Sequence, residues 1–123
     1  MGTFKDLVVY KKSFSLAMEI YELVKKFPKE EKYSLVDQIM RSSRSVCVCI
    51  AESYRKRRYI AHFIAKVSDA DMENSETQTW LEFSFACKYI NEEQYNELIN
   101  KSEEVGRLLQ DMISNPGKYG VTL

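Results

Sequence analysis

Residues 7–24 have the sequence LVVYKKSFSLAMEIYELV. Apolar side chains recur in this segment at alternating spacings of three and four residues, which is the period of an α-helix and not of a β-strand. The row consists of Leu7, Tyr10, Phe14, Ala17, Tyr21 and Val24. The pattern predicts a first helix from about Asp6 to Phe27, and Pro28 ends it.

The same helix carries a second apolar row beside the first, which consists of Leu16, Ile20, Leu23 and Phe27. Because successive residues turn by about 100°, the two rows together make close to half of the circumference apolar. A neighbouring hairpin rarely covers so wide a face. We therefore predict an interface with other subunits, formed by Leu16, Ile20, Leu23, Trp80 and Phe83. A homo-oligomer is favoured over a small-molecule cleft.

Three further helical segments follow the first along the chain. Their predicted ranges are about 34–57, about 60–89 and about 91–115. Ser34 and Asp37 have the spacing of a capping box, which marks the start of helix two. The sequence from Asn91 to Gln94 has the same form and marks the start of helix four.

The composition agrees with long helices packed as one domain. The chain has 123 residues with only four glycines and two prolines, and 45% of its residues are hydrophobic. These values argue against a turn-rich β-sandwich. Short connections favour antiparallel neighbours, so we predict a single all-α domain over residues 1–123. Its expected architecture is an antiparallel up-down-up-down four-helix bundle with a loose tail from about residue 115.

The sequence shows no sign of export or membrane insertion. No apolar run approaches the roughly 18 residues of a membrane helix, and no signal-peptide core follows the N-terminus. The three cysteines, Cys47, Cys49 and Cys87, are an odd number without C-x-x-C spacing. They suit a reducing compartment better than a disulfide framework. We therefore expect a cytoplasmic protein with no membrane partner.

A basic cluster stands at the junction of predicted helices two and three. It consists of Arg55, Lys56, Arg57 and Arg58, flanked by Tyr54 and Tyr59. Basic groups bind phosphates and aromatic rings stack on bases, so the cluster is a candidate RNA contact, although such charge runs are commonly solvated surface. In an up-down bundle, Lys11 and Lys12 of helix one share this pole. Because 18 basic residues balance 18 acidic ones, a basic pole implies an acidic remainder.

Helix three carries polar side chains at core-facing positions. Asp71 and Asn74 fall on the same side as its apolar residues, and buried polar groups need hydrogen-bond partners. If helices two and three form a hairpin, Arg44 faces Asp71 or Met72, and Arg41 faces Asn74. We therefore predict that the two arginines, Asp71 and Asn74 form a structural network that holds the hairpin together, in preference to a ligand site.

No constellation for catalysis or metal binding appears in the sequence. The single histidine, His62, excludes the Glu-x-x-His pairs of a di-iron bundle. In the predicted hairpin it lies about four helical turns from Cys47 or Cys49, too far to act as their base. Glycine-rich phosphate loops and G-x-S-x-G elbows are absent. The expectation is a non-enzymatic protein that binds no metal and no cofactor.

Several segments, in order along nearly the whole chain, resemble one family of bacterial proteins. They are residues 4–10 (FKDLVVY), 27–28 (FP), 31–35 (EKYSL), 38–46 (QIMRSSRSV), 50–54 (IAESY) and 75–81 (SETQTWL). These segments are similar to the four-helix-bundle proteins encoded in 23S rRNA intervening sequences. One departure is Cys49-Ile-Ala-Glu-Ser53, where the family usually has Asn-Ile-Ala-Glu-Gly.

The resemblance implies a cytoplasmic subunit of a homo-oligomeric ring of five subunits. Accessory proteins of diversity-generating retroelements resemble the same family, and those proteins are basic and implicated in binding nucleic acid and a reverse transcriptase. The expected function is therefore that of an accessory factor associated with rRNA or with a reverse transcriptase-type ribonucleoprotein. The alternative is a protein-interaction scaffold that binds no nucleic acid and whose basic pole docks an acidic protein surface.

Overall fold

The structure is a computed structural model that describes residues 2–123. Its helices are α1 (Val8–Val24), α2 (Leu35–Arg55), α3 (Ile60–Ala86) and α4 (Glu92–Ser114). Short 3₁₀-helical turns lie at Phe4–Asp6, Lys29–Glu31 and Pro116–Tyr119. Within residues 2–123 there is no β-strand, and no helix is long and apolar enough to cross a membrane. The predicted all-α four-helix bundle is confirmed.

Each helix packs against the next one in the chain, and α1 also packs against α4, which closes the bundle. Side-chain pairs between α2 and α3 run in opposite chain directions, since Glu52 binds Lys66 and Ser42 bonds Thr77. This pairing places the α2–α3 junction at one end of the bundle.

The interior consists of two apolar clusters and a polar layer. The cluster near the α2–α3 junction includes Val9, Ile50, Phe63, Leu109 and Val121. The cluster near the other end includes Leu16, Ile20, Ile39, Leu81 and Leu98. On every helix a buried polar residue falls between members of the two clusters, namely Ser13, Ser42, Asn74, Thr77 and Ser102. The polar layer therefore crosses the bundle near its middle.

The apolar rows of α1 lie differently from the prediction. Leu16 and Ile20 are 4% and 0% exposed and pack in the core of their own bundle, so their assignment to a subunit interface is wrong. Leu23 is half-buried against the same core. Phe14, a member of the first row, is 51% exposed. The reason is that α1 contacts both α2 and α4, so its buried face includes Leu16 and Ile20 of the second row together with Ala17 and Val24 of the first.

The helix ends follow the sequence signals in part. At the start of α4, the amide of Gln94 donates to Asn91 Oδ1 (2.7 Å) and the amide of Asn91 donates to Gln94 Oε1 (2.9 Å), which confirms that capping box. Ser34 precedes α2, but its side chain makes no capping hydrogen bond. The amide of Leu35 instead donates to the side chain of Glu31 (3.3 Å), so the capping box predicted at Ser34 is wrong.

The chain after α4 is docked against the bundle, so the predicted loose tail is wrong. Val121 is 6% exposed and packs in the cluster near the α2–α3 junction. The amide of Thr122 donates to the carbonyl oxygen of Arg57 at 3.0 Å. Lys118 and Tyr119 both bond the Asp111 carboxylate, with Lys118 Nζ 2.8 Å from Oδ2. These contacts return the end of the chain to the α2–α3 junction.

Candidate nucleic-acid interface

Three segments that are distant in sequence line one open cleft of about 540 Å³ at the α2–α3 junction. The lining residues are Gly2, Thr3, Phe4, Tyr54, Arg55, Arg57, Arg58, Gly120 and Thr122. We call this feature the arginine cleft. It forms because the first residues of the chain, the end of α2 and the docked tail meet at the same pole.

Arg57 is held in one orientation within the arginine cleft. Its Nε donates to the carbonyl oxygen of Tyr54 (2.8 Å), and its guanidinium carbon lies 3.5 Å from the centre of the Tyr54 ring. Gly120 has φ +82°, and a Cβ at that position would lie 2.8 Å from Arg57 Nη1. Glycine therefore leaves the space that the guanidinium occupies, and the cation is ordered by protein contacts alone.

The three arginines of the cleft pair with no carboxylate of residues 2–123. Within residues 2–123, none of the ion pairs includes them. Nearby carboxylates bond elsewhere: Asp6 accepts from the amide of Thr3 (2.8 Å), and Glu52 binds Lys66 (3.2 Å). Guanidinium groups without a counter-charge attract anions, and their planar donor geometry suits phosphate. The arginine cleft is therefore a candidate site for phosphate groups.

The other residues predicted to contact nucleic acid lie outside the cleft. Lys56 and Lys11 are exposed but do not line it. Lys12 reaches α4, where its Nζ lies 3.1 Å from Glu104 Oε1, so its charge already has a partner. The structure thus brings together Arg55, Arg57 and Arg58, and leaves the three lysines apart.

The predicted network of Arg41, Arg44, Asp71 and Asn74 is wrong in its arginine members. Arg41 is exposed and its Nε pairs with Asp37 one helical turn earlier, at 3.0 Å. Arg44 is exposed and lies over an aromatic ring of α1. The Asp71 carboxylate faces Gln110 of α4 at 3.4 Å. The inward side of α2 carries small and apolar residues, so its arginines point to solvent.

Asn74 instead belongs to the polar layer, and its partners are on α4. Asn74 Nδ2 donates to the carbonyl oxygen of Ser102 and the Ser102 hydroxyl donates to Asn74 Oδ1, both at 2.9 Å. Gln78 Nε2 donates to the same hydroxyl at 2.9 Å. No buried side-chain nitrogen or oxygen within residues 2–123 lacks a partner. The sequence analysis did not predict the serines of this layer. The signal for them is that serines interrupt the apolar rows of α2 and α4.

Two of the three thiols are at least partly buried in the bundle. Burial raises the pKa of the Cys47 thiol and of the Cys49 thiol, which disfavours the nucleophilic thiolate. His62 is exposed and packs its ring edge against Tyr59. In the part of the chain that the structure describes, no group of three or more His, Cys, Asp or Glu side chains could hold a metal ion.

These observations define a small helical-bundle protein with a concave basic surface at one pole. A model of the 23S rRNA-intervening sequence protein family matches residues 5–111, and the chain belongs to this family. A protein of unknown function from the S23 ribosomal protein family of Bacteroides thetaiotaomicron VPI-5482, solved by crystallography at 1.70 Å, is similar. The TM-score is 0.81, with 37% identity over 90% of this chain and 99% of that chain. No curated protein matches the chain.

Proposed function

We propose that this protein is a non-enzymatic, cytoplasmic accessory factor that binds RNA or a ribonucleoprotein through the arginine cleft and acts as a subunit of a homo-oligomeric ring. The observation that carries the proposal is the cleft itself, in which three arginines that pair with no carboxylate in the described part of the chain line one concavity. The family resemblance favours rRNA or a reverse transcriptase-type ribonucleoprotein as the partner.

The composition of the cleft supports a nucleic-acid ligand over an acidic protein surface. Guanidinium groups contact phosphates with paired hydrogen bonds and can stack on bases. Phe4 adds an aromatic ring to the lining, and its orientation is fixed by edge-to-face packing on Tyr10, with ring centres 5.1 Å apart. Because the whole chain is neutral, this local excess of positive charge orients the molecule towards a polyanion.

Electrophoretic mobility shifts with a structured rRNA fragment over a series of salt concentrations test this function. The wild-type protein should shift the RNA, and the logarithm of the binding constant should fall steeply with the logarithm of salt, by about 0.7 to 0.9 per neutralised phosphate. Replacing Arg55, Arg57 and Arg58 together by Glu should abolish the shift. The matched control replaces Lys29, Lys32 and Arg41 by Glu, because these exposed residues lie towards the other pole.

The outcomes of this experiment distinguish RNA binding from the protein-interaction scaffold. If the wild-type protein fails to shift RNA even at low salt, or if the cleft variant shifts it as well as the control does, RNA binding through the cleft is refuted. The protein-interaction scaffold, in which the basic pole docks an acidic protein surface, then becomes the better proposal.

Two exposed apolar surfaces on different helices support assembly into a ring. The α1–α2 surface consists of the exposed Phe14, Met18 and Val48 with the half-buried Tyr10, and the α3 surface consists of the exposed Met72 and Phe83 with the half-buried Trp80. A cyclic ring needs two different, complementary surfaces on each subunit. Arg44 lies one helical turn before Val48 on α2, and Glu76 accepts a hydrogen bond from Trp80 Nε1 at 3.3 Å, so these two opposite charges could pair across the contact. In our proposal the α1–α2 surface of one subunit covers the α3 surface of the next.

A further inference from the structure

The arginine cleft has room for a single nucleotide. Its volume of about 540 Å³ falls in the range of roughly 300–1,000 Å³ that is usual for small-ligand sites. Such a space accommodates one nucleotide with its phosphate.

The positive charge of the arginine cleft exceeds the single negative charge of an internal phosphodiester. An internal phosphodiester carries one negative charge, whereas a terminal phosphomonoester carries close to two at neutral pH, because its second pKa is about 6. Arg55, Arg57 and Arg58 supply three positive charges without any carboxylate partner in residues 2–123. The doubly charged phosphate is therefore the better electrostatic match.

The geometry of the arginines suits capture of that group. Arg57 uses its Nε on Tyr54, and no hydrogen bond within residues 2–123 uses its terminal nitrogens, which leaves them free as donors. A guanidinium that is already ordered loses little entropy when a phosphate binds. Arg55 and Arg58 are exposed and free to close on the ligand from the rim.

We propose that the arginine cleft binds the terminal phosphomonoester of an RNA strand, so that the protein recognises a strand end. Phe4 supplies an apolar wall for the terminal nucleoside. This inference rests on the proposed RNA association and adds to it the part of the RNA that is recognised. The same chemistry is present at a 5′-phosphate and at a 3′-phosphate, and the experiment distinguishes the two.

The test compares three short single-stranded RNAs of one sequence with an internal fluorescent label: one with a 5′-phosphate, one with a 3′-phosphate and one with hydroxyl groups at both ends. Fluorescence anisotropy should show about tenfold tighter binding for one phosphorylated RNA than for the hydroxyl form, because one charge-assisted hydrogen bond is worth this much. The identity of the tighter RNA assigns the end. A nucleoside monophosphate should remove this advantage by competition.

Substitutions test whether the preference for an RNA with a terminal phosphate arises in the arginine cleft. Arg57→Ala should equalise the three RNAs, and Arg55→Gln should weaken the preference without any effect on folding, since Arg55 is exposed and unpaired in the described chain. Arg41→Ala removes an arginine that lies outside the cleft, and this variant should retain the preference for a terminal phosphate. Equal binding of all three RNAs by the wild-type protein overturns this inference and leaves RNA association standing. Absence of binding to any RNA at low salt overturns the proposed function as well.

Discussion

The backbone amide of Thr122 donates a hydrogen bond to the carbonyl oxygen of Arg57, with 3.0 Å between nitrogen and oxygen. This bond joins the end of the chain to the α2–α3 junction, while the neighbouring Val121 packs in the core. Gly120, two residues before Thr122, lies against the guanidinium of the same arginine. The tail and the arginine cleft are therefore one structural unit, and a change that releases the tail also alters the cleft.

Gly120→Ala should release the tail. Gly120 has φ +82°, where an L side chain costs about 1–2 kcal/mol, and the new Cβ would lie 2.8 Å from Arg57 Nη1. We expect a loss of about 1 kcal/mol in the free energy of unfolding, measured by urea denaturation. Gly117→Ala is the matched control, because its Cβ would meet only the end of the Leu123 side chain at 3.3 Å. Equal effects of the two substitutions would contradict the explanation.

The docking of the tail should depend on pH through Asp111. Hydrogen bonds from Lys118 and Tyr119 lower the pKa of this carboxyl group from 3.8 to about 2. Because the pKa is lower in the folded state, the stabilisation is complete above about pH 4 and is lost as the pH falls towards 2. Asp111→Asn should therefore be less stable than wild type at neutral pH, and the difference should shrink in acid. Denaturation curves at both extremes check this, and a difference that persists unchanged in acid would disprove it.

The sequence was sufficient for the four helices because helical periodicity is a local property. It did not determine which of two adjacent apolar rows on α1 faces inward. Leu16 and Phe14 are both plausible core residues, and only the positions of α2 and α4 decide between them. Wherever a helix is apolar over half of its circumference, the choice between core and interface depends on tertiary packing.

The arginine cleft also depends on tertiary contacts that the sequence pattern does not reveal. The basic run 55–58 is visible in the sequence, but its concave setting depends on the tail. The tail is held by a backbone hydrogen bond, one buried valine and an ion pair within a short polar segment, and none of these has a periodic signature. Periodicity therefore could not predict that residues 120–122 complete the site.

The polar layer should contribute more to stability than the exposed arginines. Ser102→Ala removes the donor to Asn74 Oδ1 and the acceptor for Gln78 Nε2, and it should cost about 1–3 kcal/mol because both groups lie in the bundle interior. Arg44→Ala should change the free energy of unfolding by less than about 0.5 kcal/mol, because Arg44 is exposed. Urea denaturation of both variants measures the two changes in the free energy of unfolding. A larger loss for Arg44→Ala than for Ser102→Ala would support the arginine network that the sequence predicted.

The end of α3 stores backbone strain that a glycine should relieve. Lys88 has φ +64°, while the amides of Lys88 and Tyr89 bond the carbonyl oxygens of Phe85 and Ser84 in a Schellman motif. Lys88→Gly should therefore stabilise the protein by about 0.5 kcal/mol, after the entropic cost of glycine in the unfolded chain. Cys87→Gly, at a residue with right-handed helical geometry, should destabilise it. Thermal unfolding that moves in the same direction for both variants would contradict this account.

The proposed ring depends on two different surfaces, and this property can be tested by mixing variants. Val48 on the α1–α2 surface and Phe83 on the α3 surface are 56% and 53% exposed, so an aspartate at either position should not disturb the core. Val48→Asp and Phe83→Asp should each prevent ring formation, because burial of an unpaired charge is unfavourable. Val8→Asp is the control, since Val8 is equally exposed on α1 but belongs to neither surface.

A mixture of the two interface variants distinguishes this arrangement from one in which each surface pairs with itself. The Val48→Asp subunit keeps its α3 surface and the Phe83→Asp subunit keeps its α1–α2 surface, so one subunit of each kind should join through the two intact surfaces. Closure is then impossible, because the outer surfaces of that pair both carry the new aspartate. Light scattering coupled to size-exclusion chromatography should report rings for wild type and Val8→Asp, monomers for each interface variant alone, and heterodimers for the mixture. Dimers formed by either interface variant alone would show that a surface pairs with itself, and a monomeric wild-type protein would refute the ring.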